Sequence, residues 1–196
     1  TDALGGVSVN LFNGNAVVSA ASPTMTTLGG DVGVSLTYNS AKKGENGLTG
    51  SYFDGLPAAR DFPAGDQPEL VRTDAQVDFN WESGSPFAPA IGTDQYRIRW
   101  TGFVTAPETG SYLFGATHDD GLRITVGTTS AYNQWQDALV FNDYTGATPI
   151  SLTAGTAVPI TVEYFENAVL ARLTLLVKKD GDSGSGVPLP ASWLST

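Results

Sequence analysis

Apolar side chains recur at every second position through most of this chain. Tyr112, Phe114 and Ala116 form one such run, and Leu122, Ile124 and Val126 form the next. Tyr96, Ile98 and Trp100 repeat the pattern, as do Val158, Ile160, Val162 and Tyr164, and then Ala171, Leu173, Leu175 and Val177. A period of two is the mark of strands with one buried face. Pro107-Glu108-Thr109-Gly110 and Ala154-Gly155 read as turns just ahead of strands. No long segment carries a helical period, and no internal repeat is visible. The pattern predicts an all-β fold, an antiparallel β-sandwich or barrel. Trp81, Trp100 and Trp193 fall in strand or tail patterns and are expected in the core or at its edge.

Residues 1–46 read differently. Val7, Val9 and Leu11 alternate, then Ala16-Val17-Val18, then Val32, Val34 and Leu36, with Asn13-Gly14 and Gly29-Gly30 as turn signals. Lys42-Lys43-Gly44-Glu45-Asn46-Gly47 is a polar stretch suited to a boundary. The expected division is a β-rich N-terminal extension over 1–46 and a β-sandwich domain over 47–196. The chain opens as though cut from a longer polypeptide, and no apolar run approaches the length of a membrane span.

Charge and composition narrow the partners. The chain has 196 residues, with 20 acidic against 10 basic side chains and a net charge of −10. Such a surface repels phosphate backbones and anionic membranes, so neither nucleic acid nor membrane insertion is expected. Cysteine is absent, which removes disulfides, thiolate metal sites and cysteine nucleophiles together. The lone histidine, His118, reads as a polar neighbour of Asp119 and Asp120 rather than a catalyst, largely uncharged at neutral pH although those charges favour its protonated form.

His118-Asp119-Asp120-Gly121 is the chemical feature that stands out, lying between two alternating runs. Neighbouring side chains on a regular strand point to opposite faces. Asp119 and Asp120 can therefore grip one ion only where the backbone bends sharply between them. Calcium, a hard cation with flexible oxygen coordination, fits such a bend. Asp120-Gly121 is also an ordinary hairpin signal, and that reading stands beside the first. Asp180-Gly181-Asp182-Ser183-Gly184 lacks the spacing and closing glutamate of an EF-hand and reads as a solvated loop.

Several segments in order resemble the protective-antigen-type lectin domain, also called PA-fourteen. They are GLTGSYFDG (47–55), VDFNW (77–81), YRIRWTGFVTAPETGSYLFGATHDDGLRITVG (96–127), VPITVEYFENAVLARLTLLV (158–177) and VPLPASWL (187–194). Together they cover about residues 47–194. Residues 9–40, VNLFNGNAVVSAASPTMTTLGGDVGVSLTYNS, resemble the β-rich stretch preceding the repeats of large secreted YD-repeat proteins.

The first resemblance implies a jelly-roll-like β-sandwich. In its sugar-binding members a calcium ion sits at a double aspartate joined by a cis peptide bond, matched here by Asp119 and Asp120. It also implies that Asn167 supplies a side-chain ligand and that Val169 and Ala171 supply carbonyls. Five to seven oxygens would leave part of the calcium shell open for two sugar hydroxyls. Where the fungal lectins carry a tryptophan, this chain has Ala171. Gln134 and Trp135, in an aromatic-rich loop, are therefore the candidate sugar-facing wall. The expected function is calcium-dependent carbohydrate binding by a non-catalytic module of a large secreted or cell-surface adhesin. A structural spacer or protein-binding module on the same fold is the alternative. A glycosidase fragment using Glu163 or Glu166 ranks below both, because carboxylates committed to calcium cannot also serve as acid and nucleophile.

Overall fold

The structure, a computed structural model, describes residues 46–196 in full and, before them, the backbone of five short strands. Two compact units divide the chain, Thr1–Gly44 and Glu45–Thr196. In the first, β1 (Val7–Val9), β2 (Ala16–Ala21) and β5 (Ser35–Asn39) form an antiparallel sheet in the order β1-β2-β5. A separate hairpin joins β3 (Met25–Thr27) to β4 (Gly30–Val32). Val32 and Leu36 thus belong to strands with different partners rather than to one alternating run. The Asn13-Gly14 turn, Leu11, Val34 and the segments of the YD-repeat-like stretch between its strands lie outside the described residues.

The second unit is built from two antiparallel sheets. One holds β6 (Leu48–Asp54), β7 (Leu70–Asp74), β9 (Tyr96–Thr105), β11 (Gly121–Val126), β12 (Thr129–Gln134), β15 (Ala157–Glu166) and β18 (Leu194–Ser195). Its order is β12-β11-β15-β9-β6-β7, with β18 also pairing with β9. The other holds β8 (Asp78–Glu82), β10 (Gly110–Asp119), β13 (Val140–Asp143), β14 (Ile150–Leu152), β16 (Ala171–Lys179) and β17 (Val187–Pro188). Here β13-β10-β16-β17 run in order, β14 pairs with β10 and β8 with β16. One turn of 3-10 helix, Ala191–Trp193, precedes β18. No helix among the described residues is long and apolar enough to cross a membrane.

The alternating residues read from the sequence supply the inner faces. Tyr112, Phe114 and Ala116 of β10 meet Ile98 and Trp100 of β9, Val162 and Tyr164 of β15, and Leu173 and Leu175 of β16 in one buried cluster. Trp100 is fully buried, while Trp81 and Trp193 pack against the cluster from its edge. Phe79 on β8 stacks on Trp100 across the interior at 6.0 Å. Asp74 is buried among these rings. Its Oδ2 accepts from Trp100 Nε1 at 2.7 Å and from the Tyr52 hydroxyl at 2.5 Å, and its Oδ1 accepts from Arg72 at 2.7 Å. Asp74 thus satisfies three donors, as burial requires, whereas the Tyr96 hydroxyl in the same cluster is enclosed without a partner.

Two chain crossings position the site. β10 lies in the six-stranded sheet and β11 in the seven-stranded one, so the chain changes sheets at Asp120. β15 and β16 reverse that passage, crossing back through Asn167–Leu170. Because Asp119 pairs with Arg172 and Gly121 with Phe165, both corners fall at the same end of the sandwich. Adjacent corners at one end must touch.

Candidate metal and carbohydrate site

The peptide bond between Asp119 and Asp120 is cis. Gly121 follows, and a β-carbon built there would lie 2.0 Å from the Phe165 ring. Only glycine permits that approach, which brings the β10–β11 corner against β15. The Asn167 backbone N–H then donates to Asp120 Oδ2 at 2.9 Å. The Tyr164 hydroxyl donates to the Asp119 carbonyl and to Glu166 Oε2, the latter at 3.2 Å. Asp119, Asp120 and Asn167 are thus brought together from chain positions nearly fifty residues apart.

Val169 and Ala171 occupy different settings. Val169 is 71% exposed and takes φ +83°, the left-handed region, which a β-branched side chain rarely adopts. Its N–H donates to Asp94 Oδ1 at 2.8 Å, tying the loop to the segment that leads into β9. Ala171 is buried at the start of β16, opposite Glu82.

Negative charge accumulates at this end. Burial, and then the charges of Asp120, Asp119 and Asp94, push the Glu166 carboxyl up to about 9. Its Oε1 is enclosed without a hydrogen-bond partner. Asp119 is raised by burial and by Asp120, with Arg172 opposing. Asp120 is raised by burial, and the backbone N–H groups of Asn167 and Ala168 moderate the shift. Burial is the first cause of all three rises, and neighbouring carboxylates add to it. The donor set is all hard oxygen, and one buried carboxylate oxygen is unpartnered. Oxygens of this kind suit calcium, but among the described residues no three His, Asp or Glu side chains are grouped to hold a metal, so such a cage would lean on the Asn167 amide and backbone carbonyls.

His118 departs from expectation. Its neighbouring aspartates do not raise its pKa, because burial dominates and lowers it. The ring lies inside the sandwich, where Nδ1 donates to the Asp120 carbonyl. Nε2 lies 2.8 Å from the Tyr132 hydroxyl, which also reaches Asp143 at 2.7 Å. His118 therefore braces the corner from within rather than facing solvent.

Gln134 closes β12 and is half-buried. Trp135, beside it, packs edge-on to Phe165 at 4.9 Å, with the Arg123 guanidinium 4.2 Å from its ring centroid. Arg60 links this loop to the acidic end, pairing with Asp137 at 2.7 Å and lying over Phe165. Glu163 is held between Arg99 at 2.6 Å and Arg123. Sequence reasoning missed Asp94 as a tie for the Asn167 loop. It also missed Phe141, an exposed ring 5.6 Å from the guanidinium of Arg172, the residue opposite Asp119 in the β10–β16 ladder. A lone Asp ahead of a strand and a Phe on a short edge strand carry no spacing signal.

The PA14 domain profile matches residues 44–188, and the chain belongs to that family. It is 30% identical over 131 residues to the anti-sigma-I factor RsgI3 of Acetivibrio thermocellus, covering 67% of this chain and 19% of that protein. The chain thus spans about a fifth of that curated relative. An anti-sigma factor domain-containing protein from Clostridium clariflavum superposes with a TM-score of 0.63 and 27% identity, over 76% of this chain and 46% of that one. A PA14 sugar-binding domain from an RTX adhesin shares the fold at a TM-score of 0.59 and 17% identity, over 76% and 98% of the two chains.

Proposed function

We propose that residues 47–196 form a calcium-dependent carbohydrate-binding module, a non-catalytic lectin element of a larger secreted or cell-surface protein. The observation that carries the reading is the contact between the two crossing corners, which gathers Asp119, Asp120, Asn167 and Glu166 around under-compensated negative charge. Asp119, Asp120 and the Asn167 side chain would hold calcium, with the Val169 and Ala171 carbonyls completing the protein ligands. Bound there, the ion supplies a coordination shell with room for two vicinal hydroxyls of a sugar. Two aspartates balance its charge, so neutral sugars suit the site.

The chain's own residues do the rest. Asp94 holds the Asn167–Leu170 loop by the Val169 N–H, and His118 holds the Asp120 carbonyl from inside. Exposed Phe141 beside Arg172 would offer an apolar face to a sugar, while half-buried Trp135, with Arg123 over its ring and Nε1 enclosed, would back the Gln134 side of the site. The sugar-binding PA14 domain of the RTX adhesin supports the class of ligand, and the anti-sigma relatives support membership of a larger polypeptide. Glu163 is spent on two arginines and Glu166 is enclosed, so this pair is not placed to act as acid and nucleophile in glycoside hydrolysis.

Thermal melts with and without calcium, paired with glycan binding in chelator, test this. Calcium at a hundredfold excess over its dissociation constant should stabilise the fold by about 2.7 kcal/mol. Asp119→Ala should remove that rise, and chelator should abolish glycan binding to this end. An unchanged calcium response in Asp119→Ala refutes the cage; calcium binding without any sugar binding favours a spacer or protein-binding module.

A further inference from the structure

At the opposite end of the sandwich lies a second concavity that the corner site does not use. The β10–β16 ladder runs in register from Asp119 opposite Arg172 to Tyr112 opposite Lys179. Those seven steps span about 23 Å. At the far end a cleft of about 390 Å³ opens between the Pro107–Glu108 turn, the Asp180–Gly186 loop and the C-terminal 3-10 turn. That volume is within the ordinary range for small-ligand sites, roughly 300–1,000 Å³.

The lining is apolar in the middle and charged at the rim. Half-buried Trp193 meets the buried Tyr112 ring edge to face at 5.3 Å, and Val187 continues the apolar surface above the buried Val177. Val187 is 56% exposed. Four charges surround them, Glu108, Asp182, Lys178 and Lys179, and they sum to zero. Glu108 and Lys179 are tied to each other at 2.6 Å. Lys178 Nζ donates to the Gly184 carbonyl at 3.1 Å and lies 4.4 Å from the Tyr144 ring. Asp182 has no ion-pair partner among the described residues and remains an available acceptor. Gly186, at φ +76°, shapes the loop wall.

We propose that this cleft is a second glycan site, independent of calcium, that takes a neutral pyranose of an oligosaccharide. A net-neutral rim gives no advantage to an acidic or a cationic ligand, since each would meet charges of both signs. A pyranose has an apolar C–H face for the Trp193–Val187 surface and hydroxyl edges for Asp182, Glu108 and Lys179. A polar hollow of about 430 Å³, lined by Tyr144, Thr145 and Ser183, adjoins it and shares Lys178. The next sugar of a chain can continue there. A domain with glycan sites at both ends could bridge two chains, and bridging converts weak contacts into avidity.

The test uses the full chain carrying Asp119→Asn, in chelator, so that the corner site is silent. Cellotriose, xylotriose and galactobiose are titrated by saturation-transfer NMR and tryptophan fluorescence, with galacturonate and tetramethylammonium as charged controls. At least one neutral sugar should bind at millimolar concentrations. Asp182→Ala should weaken it about tenfold, and Val187→Asp should abolish it, with melting curves confirming that both variants fold. Absence of chelator-resistant binding by every neutral sugar overturns the proposal. So does binding unchanged in both variants, or a charged control that binds more tightly than any neutral sugar. Wild-type binding that requires calcium would leave the corner site standing and this one refuted.

Discussion

Single residues in this domain carry unequal weight, and Asp74 shows why. It is one of few buried charged groups, and it serves a tryptophan N–H, a tyrosine hydroxyl and a guanidinium at once. Replacing it with alanine would leave two enclosed donors without acceptors and Arg72 without its counter-charge. The expected loss is about 3 kcal/mol, read as a shift in urea midpoint. A change within about 0.5 kcal/mol, the ordinary range for surface substitutions, would mean that water reaches these groups. Calcium binding should be unaffected, because Asp74 does not belong to either corner. Gly121 is the counterpart at the site, where even a methyl group would collide with Phe165.

At the scale of elements, the acidic end depends on three chain segments rather than two. Asp94 lies in the approach to β9 and accepts from Val169 N–H, 75 positions further along the chain. Asp94 and Val169 are both exposed, so Asp94→Ala should change the melting temperature of the calcium-free protein little. It should nevertheless weaken calcium by about tenfold, because the loop loses its tether and must be ordered on binding. Isothermal titration reads this directly, and an unchanged affinity would show that the loop holds its shape unaided. The strands were legible because alternation at 112–116, 122–126 and 171–177 reports burial of one face directly. The Asp119–Asp120 bend came from the family resemblance, since strand geometry demands a bend there only if both carboxylates hold one ion. Asp94 was not legible, since its role arises from where a loop lands after β9 enters the sheet. The pull of its acidic neighbours on His118 was misjudged for a related reason. Its sequence neighbours are acidic, but its side chain points into the interior, where desolvation outweighs them.

For the whole molecule, the carboxyl cluster makes stability respond to pH in a direction opposite to ordinary acid denaturation. Glu166 binds its proton up to about 9 in the folded chain against 4.5 as the ordinary value, and Asp119 and Asp120 shift the same way. Between those values the folded state of the calcium-free protein holds protons that the unfolded chain has released. Stability therefore rises as pH falls from about 9, by at most about 1.4 kcal/mol per pH unit for each proton held. Below 6.5, histidine's ordinary value, the trend is opposed, because buried His118 resists the charge that an unfolded histidine accepts. Urea unfolding in chelator at stepped pH should show the rise, and Glu166→Gln should remove most of it. Excess calcium should reverse it, since metal and protons compete for the same oxygens and ligands must be deprotonated to bind. A calcium-free profile that is flat between about 9 and 6.5 would mean that the corner carboxylates are solvated and poorly arranged to hold a cation.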